Sequence, residues 1–170
     1  MDDRSLPRGI ASAAGPVTVH FDGACQATPL GSVATFGFTV EGGGFDFEDS
    51  GLCLPPGHVR ATNNVAEYMG AVRALEWLSS QGYGGAVVVE GDSQLVVRQM
   101  TGEYHVEAEH LVPYHEWLKD LARRFASVEF RWVRREENAR ADALTKQAVE
   151  EAVRVAEARD RASRRRPVGP

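Results

Sequence analysis

The segment at residues 86–92, A-V-V-V-E-G-D, constrains the fold more than any other part of this sequence. It is a short apolar run bounded by glycines, and such a run is typical of a strand that is covered on both faces. A strand of that kind needs helices above and below the sheet. The segment therefore predicts a layered α/β domain.

The remaining segments extend this prediction to an element order of β-β-β-α-β-α-α-β-α. Strands are predicted at residues 17–22, 33–40, 45–54, 86–92 and 128–133. Helices are predicted at residues 63–80, from Ser93 to near Gly102, at 108–126 and at 137–158. The Gly- and Pro-containing segment 23–31 is predicted to be a turn. We expect a mixed five-stranded sheet, in which three antiparallel, hairpin-joined strands precede βα units, with helices on both faces.

Four acidic residues lie at strand ends and in helices. They are Asp22, Glu67, Asp92 and Asp142. If the first and fourth strands are adjacent and parallel, Asp22 and Asp92 project from the carboxyl edge of the sheet, where ligands bind in open α/β folds. Clustered carboxylates repel one another unless cations neutralise them, and Mg²⁺ prefers carboxylate oxygens and phosphates. The acids therefore predict a site for hard divalent cations and for phosphoryl chemistry.

The charge distribution limits how this chain could bind nucleic acid. The 170 residues carry a net charge of −5. Residues 1–150 hold 13 Lys and Arg against 21 Asp and Glu, a net charge of −8, whereas six arginines lie between Arg154 and Arg166. A broad basic face is thus excluded, and a polyanion would be bound by a short local surface, by metals and by the tail. We expect a flexible leader at 1–16, a folded domain at 17–153 and an Arg-rich tail at 154–170.

Four motifs together resemble type 1 ribonuclease H. They are D-G-A-C, T-N-N-x-x-E, D-S-Q and N-x-x-A-D-x-L, which occur in the family's order within residues 17–150. The resemblance implies a ribonuclease H-like fold. It also implies an endoribonuclease that hydrolyses the RNA strand of RNA/DNA hybrids and leaves 5′-phosphate and 3′-hydroxyl ends.

The resemblance further implies that the four carboxylates hold two Mg²⁺ ions, with Mn²⁺ as a substitute. Asp22 would bridge both ions, and Asp142 would help to hold the ion that activates the attacking water. The ion that stabilises the leaving oxygen would be held by Glu67 and Asp92. The implied substrate contacts are Gly23, Cys25, Thr62, Asn63, Asn64 and Gln94, with Thr62 and Asn64 near a phosphate of the DNA strand.

The chain departs from the family's best-known bacterial pattern in two places. The loop V-R-R-E-E-N before the last helix is short and lacks the histidine that assists product release, so Arg134 or Arg135 would stand in for it. The Lys/Arg-rich protrusion is also missing, because residues 101–111 are acidic. We therefore expect weak hybrid binding unless the basic tail compensates.

The sequence is also compatible with other classes of protein. One is a catalytically silent module that binds hybrids or double-stranded RNA, and another is a different nuclease of the same superfold, such as a DNA-directed exonuclease or a transposase. A third is one domain of a larger replication or reverse-transcription polypeptide, although the initial methionine favours a free-standing protein. We expect a cytoplasmic monomer whose partner is an RNA/DNA hybrid and, as a second duplex, double-stranded RNA. A membrane helix is not expected, because no apolar run approaches about 20 residues, and the two cysteines, Cys25 and Cys53, have no metal-ligand spacing.

Overall fold

The computed structural model describes residues 15–164, and its element order is the predicted one. The strands are β1 (Val17–Thr28), β2 (Gly31–Gly42), β3 (Phe45–Leu52), β4 (Ala86–Gly91) and β5 (Ser127–Trp132). The helices are α1 (Asn63–Ser80), α2 (Gln94–Thr101), α3 (Val112–Ala122) and α4 (Ala139–Arg164), with 3₁₀ turns at Glu109–Leu111 and Arg135–Asn138. Within residues 15–164, no helix is long and apolar enough to cross a membrane. The leader expected at 1–16 and the end of the expected tail lie largely outside the described residues.

The strands form one mixed sheet in the order β3-β2-β1-β4-β5, which confirms the predicted sheet. β1 pairs antiparallel with β2, and β2 pairs antiparallel with β3. β1 is parallel to β4, which is parallel to β5. Because Phe21 pairs with Gly91, the next residues along the two strands, Asp22 and Asp92, come at the same level of the sheet, at the carboxyl end of β4.

The alternation of side chains along the central strands places one layer of helices on each face of the sheet. Phe36 and Phe38 of β2 belong to the main core, together with α1 and α3. The intervening residues face α4, where the Thr35 hydroxyl donates to the carbonyl of Thr145 at 3.0 Å. A Cβ at Gly37 would lie 2.7 Å from the carbonyl oxygen of Ala141. The absence of a side chain at this position therefore lets the first turns of α4 rest directly on β2.

β1 is longer than the sequence predicts, and the turn expected at 23–31 is wrong for most of its length. The strand continues to Thr28 and pairs with β2 up to Gly31, so a two-residue connection joins the two strands. The Thr28 hydroxyl accepts from the Leu30 N–H and donates to the Gly31 carbonyl, while Gly31 has a φ of +91°. Turn-forming residues occur along the whole segment 23–31, but only those at its C-terminal end form the turn.

Two of the predicted helix boundaries are also wrong. The helix expected at 108–126 is a 3₁₀ turn followed by α3, with Pro113 in its first turn. α4 begins two residues later than expected and runs to Arg164 instead of ending at 158. Arginines on α4 pair with acids three or four positions earlier, as in Arg154–Glu151 and Arg164–Asp160. Such pairs stabilise an exposed helix, so residues 154–164 of the expected tail are helical.

Candidate active site

Three of the four predicted acids meet at the carboxyl edge of the sheet. Asp22 lies on β1, Asp92 follows β4, and Glu67 lies in the second turn of α1. One carboxylate oxygen from each lies within 4.8 Å of the other two. Asp22 is 5% exposed and Glu67 is 8% exposed, so two of the three charges are largely removed from water.

Glycine contacts bring α1 close enough to β1 to make this cluster. A Cβ on Gly23 would lie 2.0 Å from the carbonyl carbon of Ala66 and 2.1 Å from the nitrogen of Glu67. A Cβ on Gly70 would lie 2.5 Å from the carbonyl oxygen of Asp22. Backbone atoms cannot give way as a flexible side chain can, so both positions require glycine for α1 to lie at this depth. The Glu67 carboxylate reaches Asp22 because of this packing.

The electrostatics of the cluster fit a cation site. Burial raises the pKa of Glu67 to about 9, with further upward contributions from Asp22 and Asp92. Burial likewise raises the pKa of Asp22 to about 7, with Asp92 and Asp142 adding to the effect. Among the described residues, the buried Oε2 of Glu67 has no hydrogen-bond partner. Hard oxygen ligands that repel one another, one of them unpaired, suit a divalent cation such as Mg²⁺.

The fourth acid, Asp142, lies beside this cluster, and the group that meets within 4.8 Å does not include it. Its Oδ2 is 2.6 Å from the Lys146 ammonium, and its Oδ1 is 3.2 Å from the Arg135 guanidinium. Burial acts to raise the pKa of Asp142, but these two cations outweigh it and hold the pKa below its usual value. Asp142 is thus ionised and already paired in the protein itself.

Two further residues connect the acids, and the sequence did not single them out for this role. Asn138, which is 1% exposed, donates from Nδ2 to the Phe21 carbonyl at 2.8 Å and to Asp92 Oδ1 at 3.0 Å. The buried hydroxyl of Thr145 lies 3.2 Å from Asp22 Oδ2 and 2.7 Å from the Asp142 carbonyl. The N-x-x-A-D-x-L motif contains Asn138, but its contact with Asp92, 46 residues earlier, depends on the tertiary fold.

The predicted substrate contacts lie on β1 and at the starts of α1 and α2, within about five residues of Asp22, Glu67 or Asp92 along the chain. Thr62 caps α1, where its hydroxyl accepts from the Val65 N–H at 3.3 Å. The side-chain oxygen of Asn63 accepts from the Cys25 N–H, also at 3.3 Å, and this bond joins β1 to the start of α1. Asn64 is exposed in the first turn of α1.

The other predicted contacts occupy neighbouring positions. Gln94 is the exposed first residue of α2, two residues after Asp92. Gly23 is buried against α1. Arg134 and Arg135 are both exposed, but only Arg135 pairs with a predicted catalytic acid.

Several known proteins resemble this chain in sequence and in fold. A family model described as reverse transcriptase-like matches residues 50–148. Ribonuclease HI of Halobacterium salinarum is 34% identical over 140 residues, which cover 81% of this chain and 66% of that protein. The crystal structure of RNase H1 from the same archaeon has a TM-score of 0.70 and 31% identity, covering 81% of this chain and 99% of that one. The chain belongs to the type 1 ribonuclease H family. Another member with a TM-score of 0.70 and 31% identity, LC11-RNase H1, was solved in complex with an RNA/DNA hybrid, and the match covers 81% of this chain and 99% of that one.

Family membership does not make the chain equivalent to its longer relatives. A bifunctional protein of Mycobacterium tuberculosis is 38% identical over 99 residues, which are 58% of this chain but only 27% of that protein. The chain thus spans about a quarter of the length of that curated relative.

Proposed function

We propose that this chain is a metal-dependent endoribonuclease that hydrolyses the RNA strand of RNA/DNA hybrids and leaves 5′-phosphate and 3′-hydroxyl ends. The observation that carries the proposal is the meeting of Asp22, Glu67 and Asp92 at one sheet edge, with two of the three largely buried. Membership of the type 1 ribonuclease H family supports it. So does LC11-RNase H1, because a relative with the same fold was captured with a hybrid.

The residues present fit two divalent cations, with Mg²⁺ as the proposed ion and Mn²⁺ as its substitute. Asp22, Glu67 and Asp92 would hold one ion, and Asp22 and Asp142 would hold the other. When bound, such ions lower the pKa of a water molecule and stabilise charge on the leaving oxygen. The cluster supplies hard oxygen ligands, and the unpaired Oε2 of Glu67 supplies a free ligand atom.

The protein's own contribution is to position these ligands and the substrate. Asn138 fixes the orientation of the Asp92 carboxylate, and Thr145 contacts Asp22, so neither acid needs to reorganise before it binds an ion. Because the side-chain oxygen of Asn63 accepts from the Cys25 N–H and the residue is exposed, its side-chain amide N–H groups would be available to a ligand at the protein surface. There they could donate to a base edge or to a ribose 2′-hydroxyl, the group that distinguishes RNA from DNA.

Arg135 is the better candidate to replace the loop histidine, because it contacts Asp142 whereas Arg134 engages Glu137 through its backbone N–H. The Arg135 side chain is 70% exposed. It could therefore exchange Asp142 for a phosphate as the product leaves.

The test is cleavage of end-labelled RNA/DNA, RNA/RNA and DNA/DNA duplexes with Mg²⁺, Mn²⁺ or EDTA. We expect metal-dependent cleavage of the RNA strand of the hybrid. Asp22→Asn and Asp92→Asn should lower kcat by at least about 10²–10³-fold, because each removes a preorganised charge at the reacting centre. Asp120→Asn is the matched control, since Asp120 is an exposed acid of α3 that pairs with Arg123.

The same assay separates the alternative functions. Hybrid binding without cleavage would indicate a silent binding module. Cleavage of the DNA/DNA duplex would indicate a different nuclease of the superfold, and full activity of Asp22→Asn would contradict the assigned site.

A further inference from the structure

We propose that Lys146 is a positioning residue that competes with a metal ion for the carboxylate of Asp142. The inference rests on the proposed function, because it concerns the second of the two proposed ions. Lys146 Nζ lies 2.6 Å from Asp142 Oδ2, and Arg135 Nη2 lies 3.2 Å from Oδ1. Each oxygen of this carboxylate is therefore occupied by a different cation of the protein.

The pairing distinguishes Asp142 from the other three acids. Asp22, Glu67 and Asp92 lie beside one another, two of them buried, and no Lys or Arg within residues 15–164 forms an ion pair with any of the three. Asp142 has the opposite environment, because the positive charges beside it exceed its own. The carboxylates of the three-acid cluster thus have no paired cation of the protein, whereas the carboxylate of Asp142 already has two. A divalent ion would have to compete with protein cations only at Asp142.

The spacing makes the Lys146–Asp142 pair an intrinsic property of α4. Residues four apart lie on the same face of a helix, one turn from each other. The pair therefore forms wherever α4 forms and needs no contact with another element. Arg135 reaches the same carboxylate from the preceding 3₁₀ turn, so it acts independently of Lys146.

Removal of the Lys146 charge should strengthen binding of the second ion. An ion held by Asp142 would stand within about 5 Å of the ammonium, and at that distance a monovalent and a divalent charge repel by more than 1 kcal/mol even in water. That repulsion corresponds to about a tenfold change in affinity. Release of Asp142 from a surface ion pair adds little to this effect.

The test is calorimetric titration of the full chain with Mn²⁺ in the absence of nucleic acid. We expect wild-type protein to bind one ion at the three-acid cluster and a second ion more weakly. Lys146→Gln should tighten the second event about tenfold and leave the first unchanged. Lys146→Arg keeps the charge and should give the wild-type isotherm.

The sequence offers a close control, since its two lysines are Lys119 and Lys146. The side chain of Lys119 is 41% exposed and pairs with a carboxylate on its own helix, Glu116 of α3. Lys119→Gln therefore makes the same change in net charge away from the cluster and should not alter the titration. Asp142→Asn should abolish the second event in the wild-type and Lys146→Gln backgrounds.

The outcomes separate this inference from the proposed function. If the protein binds Mn²⁺ but Lys146→Gln gives the wild-type isotherm, or if Lys119→Gln has the same effect, the role of Lys146 is refuted and the metal site stands. Tightening by Lys146→Arg would also refute it, because the charge would not be the cause. If no variant binds Mn²⁺, the metal site itself is wrong and the role of Lys146 fails with it.

Discussion

The two buried carboxyl groups of the site, Asp22 and Glu67, are held where their charge is unfavourable. Their four-acid set was recognisable in the sequence because each member stands in its own motif at a strand end or in a helix. The raised pKa values of Asp22 and Glu67 could not be predicted from the sequence, because they depend on how deeply α1 packs against β1. The raised pKa of each group follows from that depth.

The raised pKa values predict that the metal-free protein loses stability as the pH rises. Each carboxyl binds its proton more tightly in the folded state than in the unfolded state. The resulting stabilisation is complete below the ordinary pKa of about 4 and is lost as the pH passes the folded values of about 7 for Asp22 and about 9 for Glu67. Urea unfolding in EDTA should therefore give a lower free energy of unfolding at pH 9 than at pH 5.

Two comparisons test the cause of this pH dependence. Glu67→Gln should flatten it, because the variant has no carboxyl at this position to lose a proton. Saturating Mn²⁺ should restore stability at the higher pH, since a ligand that binds only the folded state stabilises it. An equally steep pH dependence in Glu67→Gln would show that other groups cause it.

Asn138 provides a second prediction for a single side chain. Asn138→Ala removes both the bond to the Phe21 carbonyl and the bond to Asp92. We expect kcat to fall about 10–100-fold, as when a residue that orients a metal ligand is lost, while the KM for the hybrid changes little. Stability should fall by about 1–3 kcal/mol, because a buried carbonyl loses its partner.

The control for this prediction is another buried amide. Gln99→Ala removes a side chain that is 6% exposed and accepts from the Tyr68 hydroxyl at 2.6 Å. It should lower stability to a similar extent without a comparable loss of kcat. A parallel loss of kcat in both variants would mean that Asn138 acts only through folding.

At the scale of whole elements, the site depends on how closely α1 approaches β1. The bounds of α1 match the predicted 63–80 because strong local signals mark both ends, namely the Thr62 cap and the glycine that follows Gln81. β1 and α4 were harder to predict. The length of β1 is set by pairing with β2, and the length of α4 is extended by ion pairs along its exposed surface.

Gly70 gives a prediction at this scale. In Gly70→Ala the new Cβ would lie 2.5 Å from the Asp22 carbonyl oxygen, so α1 must move away from β1. We expect a loss of about 1–3 kcal/mol from overpacking and weaker Mn²⁺ binding, because Glu67 moves with the helix. Thermal melts and Mn²⁺ titration measure the two effects.

The matched control is Gly84→Ala. Its Cβ would meet the nearest non-neighbouring atom, the carbonyl oxygen of Arg124, at an ordinary distance of 3.7 Å. It should therefore change neither stability nor Mn²⁺ binding appreciably. Unaltered Mn²⁺ binding in Gly70→Ala would contradict the dependence of the cluster on helix depth.

At the scale of the whole molecule, the positive charge that could bind a long polyanion is concentrated at the C-terminal end of the chain. The groove beside Asn64 is bordered by Glu103 and Glu107, so the segment in place of the family's basic protrusion adds no positive charge there. Residues 154–170 carry a net charge of +4. Within them, Arg154 lies in a groove formed by α4 and the end of β1, which includes Gln26 and Thr28. The basic part of α4 therefore starts near the strand that carries the proposed contacts Gly23 and Cys25.

This arrangement predicts a contribution of α4 to substrate binding that depends on hybrid length. Arg164 lies about 33 Å along the helix from Asp142, at 1.5 Å per residue, so only hybrids longer than about ten base pairs could reach it. Truncation after Val153 should raise the KM for long hybrids and flatten its salt dependence, because fewer phosphates are neutralised. The kcat should hardly change, since such contacts are equal in the ground and transition states.

The ion pairs of Arg154, Arg161 and Arg164 should keep the change in salt slope well below the six units that six free arginines would give. Steady-state cleavage of long and short hybrids at several salt concentrations measures these effects, with Arg123→Gln, at the residue that follows α3, as a charge control. An unchanged KM and salt slope for the long hybrid would mean that the rest of the chain binds its substrate unaided.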